Sequence, residues 1–225
     1  MQLLCAGAAQ GLVKALQPRF DTAIEARFGA VGAMKEALLA GAGCDVMVVT
    51  AALVDELSAG GALRRESRAE IGSVATGIAV LQGRPQPDVA DATALKAALL
   101  AADSIWFPDP ERATAGIHFM RVMQQLGVAE TLRPRCRPWP DGRTAMREMA
   151  AAQDAGAIGC TQVSEINDSP GVELVAVLPA PFGLRTTYAA AVARDATLPQ
   201  AAARFVALLT GDESLALRRA GGFDV

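Results

Sequence analysis

The chain has 225 residues, of which 52% are hydrophobic and 20% charged, and its net charge is −3 at pH 7. This composition predicts a globular protein with one large domain or two smaller lobes, and it excludes long disordered segments. Lysines and arginines are not clustered, so we expect no nucleic-acid partner. No run of about 18 to 20 apolar residues occurs, which predicts a soluble chain without membrane insertion.

Strand-like and helix-like segments alternate along most of the chain, a pattern typical of parallel sheets covered by helices. In chain order, we predict strands at residues 2–6, 23–28, 46–50, 73–81, 104–107, 157–160, 173–177 and 186–192. The clearest predicted helices lie at residues 11–16, 32–40, 93–102, 114–126, 143–154 and 198–209.

Two proline-containing loops indicate that the chain passes twice between two lobes. The segment 83–89, GRPQPDV, follows a predicted strand, and the run from Leu178 to Pro181 ends another strand with prolines that cannot continue a ladder. We therefore predict a discontinuous first lobe of residues 1–79 and 179–225 and a second lobe of residues 80–178. Hinges between lobes commonly lie at such element ends.

Four loops rich in small residues lead into helices. Their sequences are AGAAQG from Ala6, GAVG from Gly29, ERATAG from Glu111 and PDGRT from Pro140. A helix start has unpaired N–H groups and the positive end of the helix dipole, so it can bind an anion. Such starts also occur in every α/β fold, and this pattern leaves binding and purely structural roles equally open. None of the loops has the spacing of a dinucleotide or P-loop motif.

The longest of these segments runs from Phe107 to Gly127, FPDPERATAGIHFMRVMQQLG. Pro108 and Pro110 restrict the backbone around Asp109, and small residues then open an apolar-periodic helix. This helix start either faces an anion or belongs to an ordinary loop, whose amides are capped by water or by Thr114.

Few side chains qualify for acid–base chemistry. We interpret His118 as a surface or partly packed residue, Asp109 as the cap of its turn, and Glu165 as a solvated residue at a helix start. Trp106 and Trp139 are predicted to pack in the core or at a lobe edge rather than to bind a sugar, since aromatic residues make up only 4% of the chain.

The cysteines are expected to be buried free thiols, because they stand far apart in the sequence. No CxxC pair is present and the chain has one histidine, so we expect neither a metal site nor a cofactor. The cysteines are Cys5, Cys44, Cys136 and Cys160.

The order of these loops resembles the molybdate-binding group of the type 2 periplasmic binding proteins over essentially the whole chain. The matching stretches are AAQGLVKAL, FGAVGAMKEALLAGAGCDVMVV, DPERATAGIHFMRVMQQLG, IGCTQVSEI at 158–166 and RRAGGF at 218–223. The resemblance implies an α/β fold of two lobes, each a mixed, mostly parallel sheet flanked by helices. It also implies two crossovers and an anion clamped between the lobes.

The resemblance also implies where a ligand is bound. Molybdate binders place serine hydroxyls in the first two loops and a tyrosine in a later one, where this chain has Gln10-Gly11, Ala30-Val31 and Gln162. Glutamine donates and accepts hydrogen bonds, and Arg143 can pair with a planar carboxylate through two parallel bonds. An organic carboxylate therefore suits the chain better than a molybdate-like oxoanion. The predicted ligand-binding residues are Gln10, Gly11, Val31, Gly32, Thr114, Ala115, Arg143 and Gln162.

Arg143 has an alternative interpretation as a solvated residue in the first turn of a helix. A cation there is unfavourable by about 0.3 to 1 kcal/mol, because it faces the positive end of the helix dipole. The pattern leaves the two interpretations equally open.

Two classes of function fit these features. The favoured one is a monomeric receptor that captures a small anion and passes it to an ABC permease. The alternative is an isomerase of a small polycarboxylate, similar to the aconitate isomerases, with His118, Glu165 or Asp109 as its base. A cytoplasmic sensor would need an attached effector module. No signal peptide is recognisable, so we expect a periplasmic protein if a leader was trimmed and a cytoplasmic one if Met1 is the native start.

Overall fold

The computed structural model describes residues 1–225 and divides into two compact units. Unit 1 comprises Met1–Val74 and Thr186–Val225, and unit 2 comprises Ala75–Arg185. The boundaries expected from the sequence lie after residues 79 and 178. In the structure the first change of unit also lies within the strand Ala69–Leu81 but earlier, after Val74, and the second lies later, at the start of the strand Arg185–Val192.

The elements alternate along the chain as expected from the sequence. The strands are β1 Gln2–Ala6, β2 Glu25–Gly29, β3 Val46–Thr50, β4 Ala69–Leu81, β5 Ser104–Pro108, β6 Cys136–Trp139, β7 Ala157–Gln162, β8 Val172–Val177 and β9 Arg185–Val192. The α-helices are α1 Gln10–Leu16, α2 Val31–Leu39, α3 Ala51–Ala59, α4 Ala92–Ala101, α5 Thr114–Gln125, α6 Ala129–Leu132, α7 Gly142–Ala152, α8 Val163–Asn167, α9 Pro199–Thr210 and α10 Leu215–Ala220. None of these helices has both the length and the apolar character needed to cross a bilayer.

The sheet of unit 1 has the order β2-β1-β3-β9. Strand β1 runs parallel to β2 and β3, and β9 closes the sheet antiparallel to β3. Both β1 and β3 are apolar along nearly their whole length and buried. This pattern is typical of parallel strands that are covered by helices on both faces.

In unit 2 the strands have the order β6-β5-β7-β4, with β8 paired to β4. Strand β5 is parallel to β6 and β7, whereas β4 is antiparallel to both β7 and β8. Each unit therefore contains a mixed sheet with a parallel core and flanking helices. The fold class predicted from the sequence is confirmed.

Apolar side chains cover both faces of the unit 2 sheet. One cluster contains Ile78, Phe107 and Phe119, whose two aromatic rings meet edge to face with centroids 5.6 Å apart. The other cluster lies on the opposite face and contains Ala79 and Met146. Because neighbouring strand residues point to opposite faces, Ile78 and Ala79 of β4 serve different clusters.

Buried charged side chains connect distant segments of unit 1. The Asp45 carboxylate accepts hydrogen bonds from the backbone N–H groups of Gln2, at 2.7 Å, and Leu198, at 3.0 Å. The Arg218 guanidinium donates to the carbonyl oxygen of Ile71 at 2.9 Å and to carbonyls at the C-terminal end of α9. These bonds tie the returning C-terminal segment of unit 1 to its N-terminal part.

Two of the four thiols are less enclosed than expected from the sequence. Cys5 and Cys160 are buried, whereas Cys44 and Cys136 are half-buried, and all four are free. Burial raises the pKa of each of the four thiols, that of Cys44 to about 12. The thiols are therefore protonated at neutral pH, as expected of packing residues.

The start of α5 packs directly on the turn that precedes it. A Cβ atom added to Gly116 would lie 2.2 Å from the carbonyl oxygen of Pro108 and 2.3 Å from that of Asp109. Because backbone atoms cannot move aside as a flexible side chain can, glycine is required where this turn meets the helix.

We expect Gly116→Ala to lower the free energy of unfolding by about 1 to 3 kcal/mol, the usual cost of overpacking. Urea denaturation followed by circular dichroism measures the change. Gly60→Ala is the matched control, since its Cβ would lie 3.6 Å from the nearest atom, an ordinary contact. Equal stability of the two variants would contradict the close approach.

Candidate functional site

Three helices of unit 2 begin at the same edge of its sheet. Strands β5, β6 and β7 are parallel, so their carboxyl ends lie together. The chain continues from these ends into α5, α7 and α8, which begin at Thr114, Gly142 and Val163. Of the residues predicted to bind a ligand, Thr114, Ala115, Arg143 and Gln162 therefore lie along one edge. In open α/β sheets this is the edge at which ligands bind.

The other four predicted residues lie at the corresponding edge of unit 1. Gln10 and Gly11 open α1 after β1, and Val31 and Gly32 open α2 after β2. The residues before the two helices, Ala9 and Ala30, form no side-chain cap. The first N–H groups of both helices thus lack the bond that a serine or threonine cap would supply.

The turn before α5 is held by Asp109. Its carboxylate accepts hydrogen bonds from the N–H groups of Glu111, at 2.7 Å, and Arg112, at 3.2 Å. The N-cap residue of α5 is Ala113, which makes no side-chain cap, and Thr114 is the first residue of the helix rather than its cap. Asp109 therefore stabilises the turn, as its sequence context predicts.

Arg143 is a cation at the unit 2 edge. It is the second residue of α7, whose N-terminus is capped by Asp141 through the N–H of Thr144 at 2.8 Å. Its guanidinium forms an ion pair with Asp168 just after α8, and its side chain is 25% exposed. Burial lowers the pKa of Arg143, and the nearby Glu165 carboxyl opposes this change. The side chain is thus held in place rather than free in solvent.

The interpretation of Glu165 as a solvated residue is wrong. The side chain is buried, and its Oε2 atom accepts a hydrogen bond from the Thr161 hydroxyl at 2.5 Å. A Cβ atom on Gly142 would lie 2.1 Å from the same oxygen, so the carboxyl group lies directly against the first residue of α7. The five-residue helix α8 turns Glu165 inward rather than toward water.

The environment of Glu165 disfavours its charge. Burial raises the pKa of this carboxyl to about 7, and the neighbouring carboxylate of Asp141 acts in the same direction. The Thr161 hydroxyl, a backbone hydrogen bond from Gln162 and the Arg143 cation oppose the increase without cancelling it. Glu165 therefore exchanges its proton near neutral pH, unlike an ordinary glutamate.

His118 is half-buried on α5, and its Nε2 atom lies 2.7 Å from the carbonyl oxygen of Phe182. Because a carbonyl only accepts hydrogen bonds, Nε2 carries a proton and donates it here. This contact gives His118 a packing role.

Three further polar side chains at this edge are buried. Gln162, at the end of β7, is 2% exposed and lies opposite Thr76 of β4. The hydroxyls of Thr76 and Ser164 are buried without a hydrogen-bond partner. No group of three histidine, cysteine or acidic side chains with the geometry of a metal site is present.

The sequence indicated Glu165 only as a possible base, and it did not indicate its hydrogen bond with Thr161 or the pairing of Asp168 with Arg143. One signal was available, because Thr161 and Glu165 are four residues apart and a carboxylate at that spacing can reach back one turn. This contact could not be predicted from the spacing alone, because a strand ends and a helix begins between the two residues. The position of the helix start, Val163, is known only from the structure.

Comparison with known proteins gives consistent matches over the whole chain. A family model described as bacterial extracellular solute-binding protein matches residues 2–224. An aconitate isomerase from Pseudomonas sp is 25% identical over 227 residues, which covers 95% of this chain and 83% of that protein.

Solved structures of periplasmic binding proteins share the fold. The molybdate-binding protein of Azotobacter vinelandii has a TM-score of 0.80 at 16% identity, with 100% of this chain and 99% of that chain covered. The sulfate-binding protein SubI of Mycobacterium tuberculosis has a TM-score of 0.75 at 17% identity, with 99% and 85% covered. These identities are low, so the likeness concerns the fold and not the ligand.

The shifted pKa of Glu165 predicts a pH dependence of stability. The folded-state pKa, about 7, lies above the ordinary value of 4.5, so the folded protein holds this proton more tightly than the unfolded chain. The resulting stability is complete below pH 4.5 and is lost as the pH rises through 7. The loss is on the order of 3 kcal/mol.

The Gln side chain in Glu165→Gln is neutral at every pH. The free energy of unfolding of this variant should therefore lack the decrease of about 3 kcal/mol that we expect from Glu165 between pH 5 and pH 8. Urea denaturation at several pH values measures it. Glu148→Gln is the control, because Glu148 pairs with Arg147 near the surface of α7 and its removal should leave the wild-type slope unchanged. An identical slope in Glu165→Gln and the wild type would contradict the assignment.

Proposed function

The chain belongs to the bacterial extracellular solute-binding protein family, and from this premise we propose that it captures a small organic carboxylate. The ligand binds at the carboxyl edge of the unit 2 sheet. We further propose that the protein is a monomeric periplasmic receptor and that it delivers this anion to an ABC permease.

The observation that carries the carboxylate proposal is Arg143 in the first turn of α7. Its guanidinium is positioned by Asp168 at the edge where α5 and α8 also begin. A planar guanidinium recognises a planar carboxylate through two parallel hydrogen bonds, and the N–H groups of the helix starts add further donors. A cation at this end of a helix is otherwise unfavourable, and the ion pair with Asp168 offsets part of that cost while leaving further donors for a ligand.

The choice of a carboxylate over a tetrahedral oxoanion is supported by the other candidate residues. The sulfate- and molybdate-binding relatives share the fold at identities too low to transfer their ligands. In this chain the starts of α1 and α2 carry Gln10 and Val31 and no hydroxyl. The buried Gln162 amide can both donate to and accept from a partly protonated or hydroxylated organic acid.

Thermal shift measurements with trans-aconitate, citrate, short monocarboxylates, sulfate and molybdate test the proposal. We expect the carboxylates to stabilise the protein, by about 2.7 kcal/mol at 100 times the dissociation constant. Arg143→Ala should abolish this response. Arg147→Ala, one turn further along α7 and paired with Glu148 at the surface, should retain it.

A response to molybdate or sulfate alone would refute the carboxylate proposal, and an unchanged response in Arg143→Ala would remove Arg143 from the site. The predicted unit 1 residue Gln10 is tested separately by Gln10→Ala, and unchanged carboxylate binding in this variant would remove Gln10 from the site.

A second candidate function is isomerisation of an unsaturated polycarboxylate. The likeness to the aconitate isomerase favours it. Such an enzyme removes a proton from one carbon, shifts the double bond and returns a proton to another carbon. His118 and Asp109 are engaged by backbone groups. Glu165 has a pKa near neutrality but is buried against Gly142, so in this candidate function it would carry the proton through an intervening water.

Incubation of the protein with cis- or trans-aconitate in D₂O, followed by proton NMR, separates receptor from enzyme. A receptor should produce neither an isomer nor deuterium exchange at carbon. An isomerase should produce both, and Glu165→Gln should then slow both by at least about a hundredfold, the usual contribution of a general base.

A further inference from the structure

Glu165 lies behind the helix start at which the proposed ligand binds. Its Oε2 atom would be 2.1 Å from a Cβ on Gly142, the residue immediately before Arg143. The buried carboxyl therefore packs against the residue that precedes Arg143 in the first turn of α7. An anion placed there approaches a second acidic group through an interior of low dielectric constant, where charges interact strongly.

The charges around Glu165 are already unbalanced. On the side of α7, Glu165 faces the Asp141 carboxylate and the Arg143 cation. The Arg143 guanidinium already forms an ion pair with Asp168, which follows α8. Strand β7 contributes the Thr161 hydroxyl, while its Cys160 belongs to the apolar cluster on the other face. One guanidinium thus serves several carboxyl groups before any ligand arrives.

The remaining charged groups of the adjacent elements have other partners. Glu173 of β8 accepts a hydrogen bond from Gln86, and Arg147 and Glu148 of α7 form their own ion pair. Arg143 is thus the cation that acts on Glu165, and Asp168 already pairs with it. A negative charge added at Arg143 can be balanced by a proton on Glu165.

We infer that Glu165 is a charge-compensating residue of the ligand site, and that it takes up a proton when a carboxylate binds beside Arg143. The inference rests on the proposed function. Glu165 acts through the α7 helix start and does not contact the ligand, so it is a positioning residue. The bound anion is neutralised by a proton drawn from solvent, and binding weakens as the pH rises above neutrality.

Isothermal titration calorimetry with trans-aconitate tests the inference, because its carboxyl groups are ionised at neutral pH. Titrations at pH 7.5 in Pipes and in Tris, which differ in ionisation enthalpy, give the number of protons taken up. We expect about half to three quarters of a proton at pH 7.5 and almost none at pH 5.5, where Glu165 is already protonated. Wild-type affinity should fall between pH 6 and pH 8.5, by about tenfold for each unit by which the ligand raises the pKa.

Glu165→Gln mimics the protonated side chain. It should bind trans-aconitate with no proton uptake and keep its pH 6 affinity at pH 8.5. Glu148→Gln, the surface control on α7, should take up protons like the wild type. Equal binding enthalpies of the wild type in the two buffers at pH 7.5 would overturn the inference and leave the proposed function intact. The absence of binding heat in every buffer and at every pH would overturn both.

Discussion

Parallel pairing of β5 with β6 and β7 is the constraint on which the candidate site depends. Because parallel strands need crossover connections, each is followed by a helix, and all three helices begin at the same edge. Thr114, Arg143 and Gln162 are distant in sequence but are brought to that edge by strand direction alone. Gly116 allows the first of these helices to pack against the preceding turn without a clash.

A second constraint is the charge balance around Glu165. Arg143 carries the cation, and Asp168 positions it while competing for it. Burial penalises the charged form of Glu165, so this carboxyl group stays protonated up to about neutral pH and adds little negative charge near Arg143. The same property connects the expected pH dependence of stability with the proposed proton uptake on ligand binding, because both depend on the protonation of Glu165.

Most of the fold could be predicted because its signals are local. The apolar runs of β1 and β3 and the periodicity of α5 correspond closely to the predicted segments. The helix α3 was missed because Thr50 ends β3 and caps the helix at once, without a loop to separate them. The edge strand β6 was missed because Pro138 and its charged neighbours do not form an apolar run.

The sequence by itself determined the α/β class, the small-residue helix starts and the presence of Arg143 at one of them, since each depends on neighbours along the chain. Only the tertiary structure decided that Asp168 holds Arg143 and that Glu165 is buried with Thr161 against Gly142. The reason is physical: charge and proton affinity depend on solvent exclusion and on partners from other elements. Neither can be known before the helices and strands are packed together.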